Sequence, residues 1–169
     1  MDFALKQLTV DGTSVRLQLW DIAGQDRFGA IARVYYKDAV GAVLVYDVSR
    51  PATFETVKKW KGEIDAKVTL PNGKPLPVLL VGNKCDIEGA EVDEGMLDTY
   101  CEQYGFVGWF ATSAKANVNI EQAAVKLVTT ILSHNDIFAA RKPRQSDIDL
   151  TANSSRLGSS NGSSSGGCC

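Results

Sequence analysis

The chain alternates short apolar runs with longer stretches in which apolar residues recur at helical spacing. Val15, Leu17 and Leu19 alternate with polar residues, which is the pattern of a half-buried strand. The Asp-Gly pair at 11–12 supplies a turn before this strand, so a hairpin is predicted over residues 3–20. Unbroken apolar runs predict further strands at 41–48, from Val78 onward and at 109–112.

Helices are predicted between and after these strands. The apolar stripes are Phe54, Val57 and Ile64; Met96, Leu97 and Tyr100; and Ile120, Ala123, Ala124, Leu127, Val128, Ile131 and Leu132. Pro51 favours the first turn of the first helix, and Asn117 or Asn119 is the expected N-cap of the last. We interpret the last stripe as core packing rather than as a surface for a membrane or a partner. Because strands and helices alternate, the fold class is α/β.

Composition limits the domain count and the classes of partner. The 169 residues, of which 44% are hydrophobic and 22% charged, fit one globular domain. The net charge of −2 argues against a nucleic-acid partner. We expect a domain over residues 1–140 and a flexible tail over 141–169, where Ser and Gly dominate. No apolar run reaches the length of a membrane-spanning helix and no signal peptide opens the chain, so the cytosol is the expected compartment.

A polar cluster follows the apolar strand that starts near Pro77. Asn83, Lys84 and Asp86 lie at the carboxyl end of this strand, which is where open α/β sheets bind ligands. The carboxylate of Asp86 can accept two hydrogen bonds from a guanine base, which offers N1–H and a 2-amino group side by side. Adenine offers neither donor and would leave the charge unpaired. The alternative interpretation is an ordinary polar turn.

A second polar cluster follows the strand at 109–112. It consists of Ser113, Ala114 and Lys115, and parallel strands end at the same edge of a sheet. Both clusters can therefore meet around one base, with the Ala114 N–H facing a base oxygen and the stems of Lys84 and Lys115 along its faces. The two clusters together resemble the guanine-reading motifs of the small GTPases. That resemblance implies a mostly parallel sheet with helices on both faces, and GTP or GDP as the bound nucleotide.

A third motif ends the predicted hairpin, where Asp21-Ile22-Ala23-Gly24-Gln25 resembles the Asp-x-x-Gly-Gln motif of the same family. The resemblance implies that Asp21 holds Mg²⁺ through water and that the Gly24 N–H meets the γ-phosphate. It also implies that Gln25 is the catalytic residue that orients the attacking water. Taken alone, the stretch could be any turn from a strand into a loop.

Within the small GTPases the chain looks most like the Rab family. The residues that carry this resemblance are Asp2-Phe3, Leu17-Gln18-Leu19-Trp20, Arg27-Phe28, Tyr35-Tyr36 and the terminal Cys168-Cys169. Ile22, Phe28-Gly29 and the loop at 70–73 are similar to the subgroup that serves lysosome-related organelles. The resemblance implies a switch in vesicle and organelle trafficking that acts on the cytoplasmic face of endomembranes, lysosome-related or endosomal, with a cytosolic pool.

The Rab resemblance also assigns a docking surface and an anchor. Phe3, Trp20 and Tyr35 match the aromatic triad on which Rab effectors bind, although they could equally be core or half-exposed aromatics. Cys168 and Cys169 match the site at which two prenyl groups attach the protein to a membrane. Rab effectors and regulators are the implied protein partners.

One family motif has no counterpart, since the sequence contains no Gly-x-x-x-x-Gly-Lys-Ser/Thr stretch to cradle phosphates. The chain looks N-terminally truncated, without the first strand, phosphate loop and first helix of the family. We therefore expect a gap between the strand at 15–20 and the strand at 41–48, and impaired GTP binding and hydrolysis. Whether the chain is an enzyme stays open. The alternatives are a non-catalytic, membrane-anchored effector-binding fragment, or a fragment that does not fold alone.

Overall fold

Strands and helices alternate along the part of the chain that the computed structural model describes, residues 3–22 and 38–134. The strands are β1 Phe3–Val10, β2 Thr13–Trp20, β3 Ala42–Asp47, β4 Val78–Asn83 and β5 Trp109–Thr112. The helices are α1 Pro51–Glu55, α2 Val57–Lys67, α3 Glu94–Tyr104 and α4 Ile120–Ser133. This order confirms the α/β class. The predicted tail at 141–169 lies outside the described residues.

Three strands form a parallel sheet in the order β3-β4-β5. In its register Asp47 lies beside Asn83, and Asn83 lies beside Thr112. The carboxyl ends of all three strands therefore reach the same edge of the sheet. The polar residues that end or follow the strands are collected at that edge.

Helices cover both faces of the parallel sheet, as predicted. On one face, Val78 and Leu80 pack with residues of α1, α2 and α3 in the largest hydrophobic cluster. On the other face, Leu79 and Val81 pack with Ala123 of α4. Every residue from Val78 to Gly82 is buried, so β4 is covered on both faces and the prediction of a strand from Val78 onward is confirmed. Parallel strands with crossover helices require this arrangement.

The hairpin of β1 and β2 forms a separate two-stranded antiparallel sheet. Asp11 and Gly12 have φ angles of 48° and 76°, the left-handed values that a tight hairpin turn needs. Leu8 and Val10 of β1 pack against Val128 of α4. Within the described residues no ladder joins the hairpin to the parallel sheet.

Two details of these elements differ from the sequence-based expectations. The helix that starts at Pro51 is shorter than the apolar stripe suggested. It ends at Glu55, and a second helix starts at Val57. The hydroxyl of Thr56, between them, donates to the Thr53 carbonyl (2.7 Å) and competes with the helical bonding there. Leu19, expected on the half-buried face of β2, is exposed, since nothing in the described part of the chain covers that end of the hairpin.

The start of α4 also differs from the prediction. Asn119 occupies the N-cap position but makes no side-chain cap, because its φ of 55° is left-handed. Its side-chain nitrogen instead donates to the Ala111 carbonyl of β5 (2.8 Å). Ile120, predicted to open the buried stripe, is exposed. Over residues 3–22 and 38–134, no helix combines the length and the apolar character needed to cross a bilayer.

Candidate functional site

Because β4 is buried up to Gly82, polar side chains become accessible only at its carboxyl end. Asn83 is the first residue of the strand that is not fully buried, and it opens the predicted base-reading cluster. Lys84 follows with a left-handed φ of 70°, so the chain turns out of the sheet immediately after the strand. The strand leaves no room for a side chain at Gly82, where a Cβ atom would lie 2.7 Å from Tyr46 Oη. Tight packing therefore positions Asn83 and Lys84.

Asn83 links the two predicted clusters. Its Oδ1 atom accepts hydrogen bonds from the Ala114 N–H (3.0 Å) and from Thr112 Oγ1 (3.3 Å). The structure therefore brings the ends of β4 and β5 together, as the sequence predicts. The Ala114 amide donates to Asn83 here, and its expected contact with a base oxygen stays a prediction.

Asp86 is tied to the second cluster through Ser113. The buried Ser113 hydroxyl donates to Asp86 Oδ1 (2.5 Å) and accepts the Ala116 N–H (2.9 Å). This hydrogen bond lowers the pKa of the Asp86 carboxyl, and the charges of Lys115 and Lys84 lower it further. Asp86 is therefore ionised at neutral pH. An ionised carboxylate is an acceptor only, as a contact to two base N–H groups requires.

A cleft of about 310 Å³ opens between the two clusters, lined by Asn83, Lys84, Asp86, Ile87, Ala114 and Lys115. Five of these six residues are among those predicted to contact the nucleotide, and Ile87 adds an apolar side chain. Small-molecule sites range from about 300 to 1,000 Å³, so this cleft is at the small end of that range.

Asp47 is a site residue that the sequence reasoning missed. Its Oδ2 atom lies 2.7 Å from Lys84 Nζ, and its Oδ1 atom accepts hydrogen bonds from the Ser49 N–H (3.0 Å) and hydroxyl (2.6 Å). The bonds from Lys84 and Ser49 lower the pKa of Asp47 to about 2. The signal was available, because Asp47 ends an apolar strand in the same way as Asn83 does.

The hairpin carries the other described candidates. The Phe3 and Trp20 rings lie 5.1 Å apart, and they are 54% and 45% exposed. They are therefore surface aromatics rather than core residues. Asp21 follows β2 and is exposed. The predicted Gly24, Gln25, Tyr35, Cys168 and Cys169 lie outside the described residues.

A Mg²⁺ site is not completed by the residues that the structure describes. Among them, no three His, Cys, Asp or Glu side chains are grouped so that they could hold a metal ion. Asp21 contributes one carboxylate, and Mg²⁺ is normally held by one or two carboxylates together with substrate phosphates and water. Asp21 as a Mg²⁺ residue stays a prediction.

Comparison with known proteins adds independent information. The sequence model of the Ras family matches residues 1–133. The chain is 53% identical to human Ras-related protein Rab-32 over 151 residues, which are 88% of this chain and 66% of that protein. It is 55% identical to Dictyostelium discoideum Rab-32A over 141 residues (81% and 64%). With human Rab-7L1 the identity is 40% over 170 aligned positions (100% and 80%). The chain thus spans slightly less than two thirds of the length of these two Rab-32 relatives.

Proposed function

The chain belongs to the Ras family, and from this premise we propose that it is a Rab-type switch that binds guanine nucleotides and serves vesicle and organelle trafficking. The observation that carries the nucleotide part is the convergence of the two clusters on one cleft. Asn83 bonds to Ala114, and Ser113 bonds to Asp86, across strand ends that are about thirty positions apart in the sequence. The trafficking part rests on the Rab relatives.

We infer that Asp86 recognises the guanine base. Its carboxylate accepts the N1–H and the 2-amino group of guanine, while the Ser113 hydroxyl orients it. A base without these donors leaves a desolvated carboxylate unpaired, which costs free energy. The stems of Lys84 and Lys115 line the cleft and cover the faces of the ring. Guanine is therefore preferred over adenine.

Phosphate binding is the weak part of the site in the 169-residue chain as it stands. The sequence has no Gly-x-x-x-x-Gly-Lys-Ser/Thr stretch, and phosphoryl transfer depends mainly on positioning and on charge neutralisation at the phosphates. We infer that GTP or GDP is held mainly through its base and that hydrolysis is impaired. Bound Mg²⁺, in proteins that hold it, neutralises charge on the β- and γ-phosphates.

A titration of the chain with GDP and with ADP, followed by amide chemical shifts, tests the base-reading part. We expect shifts at Asn83, Asp86 and Ala114 with GDP and much weaker binding of ADP. Asp86→Asn should weaken GDP binding by about 1–3 kcal/mol, the size of a bidentate base contact. Glu63→Gln is the matched control, since Glu63 pairs with Lys67 on α2 outside the cleft (2.7 Å). Equal affinity of the Asp86 variant and the parent, or of GDP and ADP, would refute the proposal.

The membrane part of the proposal concerns Cys168 and Cys169. We infer that both thiols carry prenyl groups and hold the chain on the cytoplasmic face of lysosome-related or endosomal membranes, with a cytosolic pool. One lipid chain gives marginal membrane binding, and two give stable anchoring. Intact-mass measurement of protein from eukaryotic cells should show two prenyl additions, both lost in Cys168→Ser/Cys169→Ser. Two free thiols on folded protein would contradict the anchor.

The exposed Phe3–Trp20 pair supports a second candidate function, a membrane-anchored surface that binds Rab effectors or regulators without switching. Paired aromatics are frequent anchors of protein interfaces. The two functions differ in their dependence on nucleotide. If effector capture is the same with and without GTP and is lost in Trp20→Ala, the non-switching function is favoured. Capture that requires GTP favours the switch.

A further inference from the structure

An ion pair joins the carboxyl ends of β3 and β4 at the rim of the cleft. Lys84 Nζ lies 2.7 Å from Asp47 Oδ2, and the Asp47 side chain is only 13% exposed whereas that of Lys84 is 51% exposed. Ser49 holds the other carboxylate oxygen, and the Asp47 N–H donates to Thr53 Oγ1 (3.0 Å). Asp47 is thus the fixed member of the pair, and Lys84 is the member that it positions.

Lys84 also interacts electrostatically with the carboxylate of Asp86. Asp86 lies two residues further on and lines the same cleft, and the charge of Lys84 lowers the pKa of its carboxyl. An ammonium group released from Asp47 can therefore pair with Asp86. Such pairing would occupy the oxygens that the base must reach.

We propose that Asp47 is a positioning residue of the base site, whose carboxylate holds the Lys84 ammonium away from Asp86 while the Lys84 stem lines the cleft. This inference rests on the proposed reading of guanine by Asp86. The left-handed backbone of Lys84 supports it, since a strained conformation persists only where its surroundings hold it. Asp47 touches no nucleotide and acts only through Lys84.

The first test needs no nucleotide. The carboxyl carbon of Asp86 is titrated by NMR in the parent, in Asp47→Asn and in Asp47→Asn/Lys84→Met, after amide dispersion has shown that each chain is folded. We expect the pKa of Asp86 to fall in Asp47→Asn, because Lys84 now pairs with Asp86, and to rise again in the double variant. An unchanged pKa of Asp86 in Asp47→Asn would overturn the proposal.

The second test uses GDP as the probe. Asp47→Asn should bind GDP roughly two- to fivefold more weakly than the parent, the range expected for one partly exposed ion pair. The double variant should recover part of this loss, because Met keeps the unbranched stem without its charge. Glu63→Gln, which breaks an ion pair on α2, should bind as the parent does. A double variant that binds more weakly than Asp47→Asn would also overturn the proposal.

The two tests separate the positioning role from the proposed function. If the parent chain does not bind GDP, the proposed function fails, while the NMR titration still decides whether Asp47 keeps Lys84 from Asp86. If Asp47→Asn does not fold, Ser49→Ala loosens the same carboxylate, because it removes the hydroxyl that donates to Asp47 Oδ1. In that variant the pKa of Asp86 should fall below its value in the parent, and an unchanged value would count against the proposal.

Discussion

The neighbouring strands β3 and β4 have similar apolar sequences and very different surroundings. Leu79 and Val81 of β4 are almost completely buried, whereas Val43 and Val45 of β3 are 43% and 61% exposed. The register places Val43 beside Leu79 and Val45 beside Val81, so all four lie on the same face of the sheet. One half of this face is covered by α4, and nothing in residues 3–22 and 38–134 covers the other half.

The difference between the strands comes from their neighbours and not from their own residues. β4 has a strand on each side and helices on both faces, whereas β3 pairs only with β4 in the described part of the chain. Leu44 and Tyr46, on the opposite face of β3, do pack in the largest hydrophobic cluster. An apolar run therefore predicts a strand reliably, but the cover over that strand depends on segments elsewhere in the chain.

The largest expected change in the free energy of unfolding is at the centre of β4. Leu80→Ala removes a completely buried side chain from the largest cluster and should lower the free energy of unfolding by about 2–5 kcal/mol. Urea unfolding followed by far-UV circular dichroism measures this loss. A loss below about 1 kcal/mol, the range of exposed sites, would mean that β4 is not the centre of the core.

The next effect is at Gly82, near the end of β4. A Cβ atom there would lie 2.7 Å from Tyr46 Oη and 2.8 Å from Val48 Cγ1, so β3 would have to shift. We expect Gly82→Ala to cost about 1–3 kcal/mol, as overpacked cores do. Gly62→Ala is the control, because nothing lies within 4 Å of a Cβ atom at that position. Equal stability of the Gly82 variant and the parent would show that the two strands pack more loosely.

A matched pair of substitutions compares the two strands directly. Thr has nearly the shape of Val, so Val81→Thr buries a hydroxyl under α4 and should cost about 1–3 kcal/mol. Val45→Thr, on the register partner, should change stability by less than about 0.5 kcal/mol because the side chain is exposed. Both values come from the same urea unfolding measurement. Equal costs would mean that Val45 is covered in solution.

The smallest expected change in the free energy of unfolding concerns the ion pair of Asp47 and Lys84, which joins the ends of β3 and β4. Asp47 has a pKa of about 2 in the folded chain, below the value near 4 of an unfolded Asp. Its contribution to stability is therefore present above about pH 4 and is lost as the pH falls toward about 2. The stability difference between the parent and Asp47→Asn should shrink over this interval. A difference that is constant from pH 5 to pH 2 would contradict the low pKa.

Much of the fold follows from the sequence, because short apolar runs, a turn signal and helical stripes were enough to predict the five strands of the described residues and the last helix. The convergence of Asn83, Asp86 and Ser113 could also be predicted, since parallel strands end at one edge. The residues that escaped prediction depend on tertiary contacts. Asn117 or Asn119 was expected to cap α4, but the side chain of Asn119, at the N-cap position, donates instead to the carbonyl of Ala111 in another element. Asp47 ends an apolar strand as Asn83 does, but its pairing with Lys84 follows only from the register that places β3 beside β4.

Helix α4 packs against both sheets, with Ala123 against β4 and Val128 against β1. Among the described residues, the hairpin and the parallel sheet are therefore joined by a shared helix and not by a continuous ladder. Amide hydrogen exchange should reveal two levels of protection as a result. The β4 amides exchange only when the whole domain unfolds, whereas the hairpin amides exchange whenever the contact with Val128 opens. We therefore expect the aromatic pair at the end of the hairpin to lie on the part of the described structure that opens first.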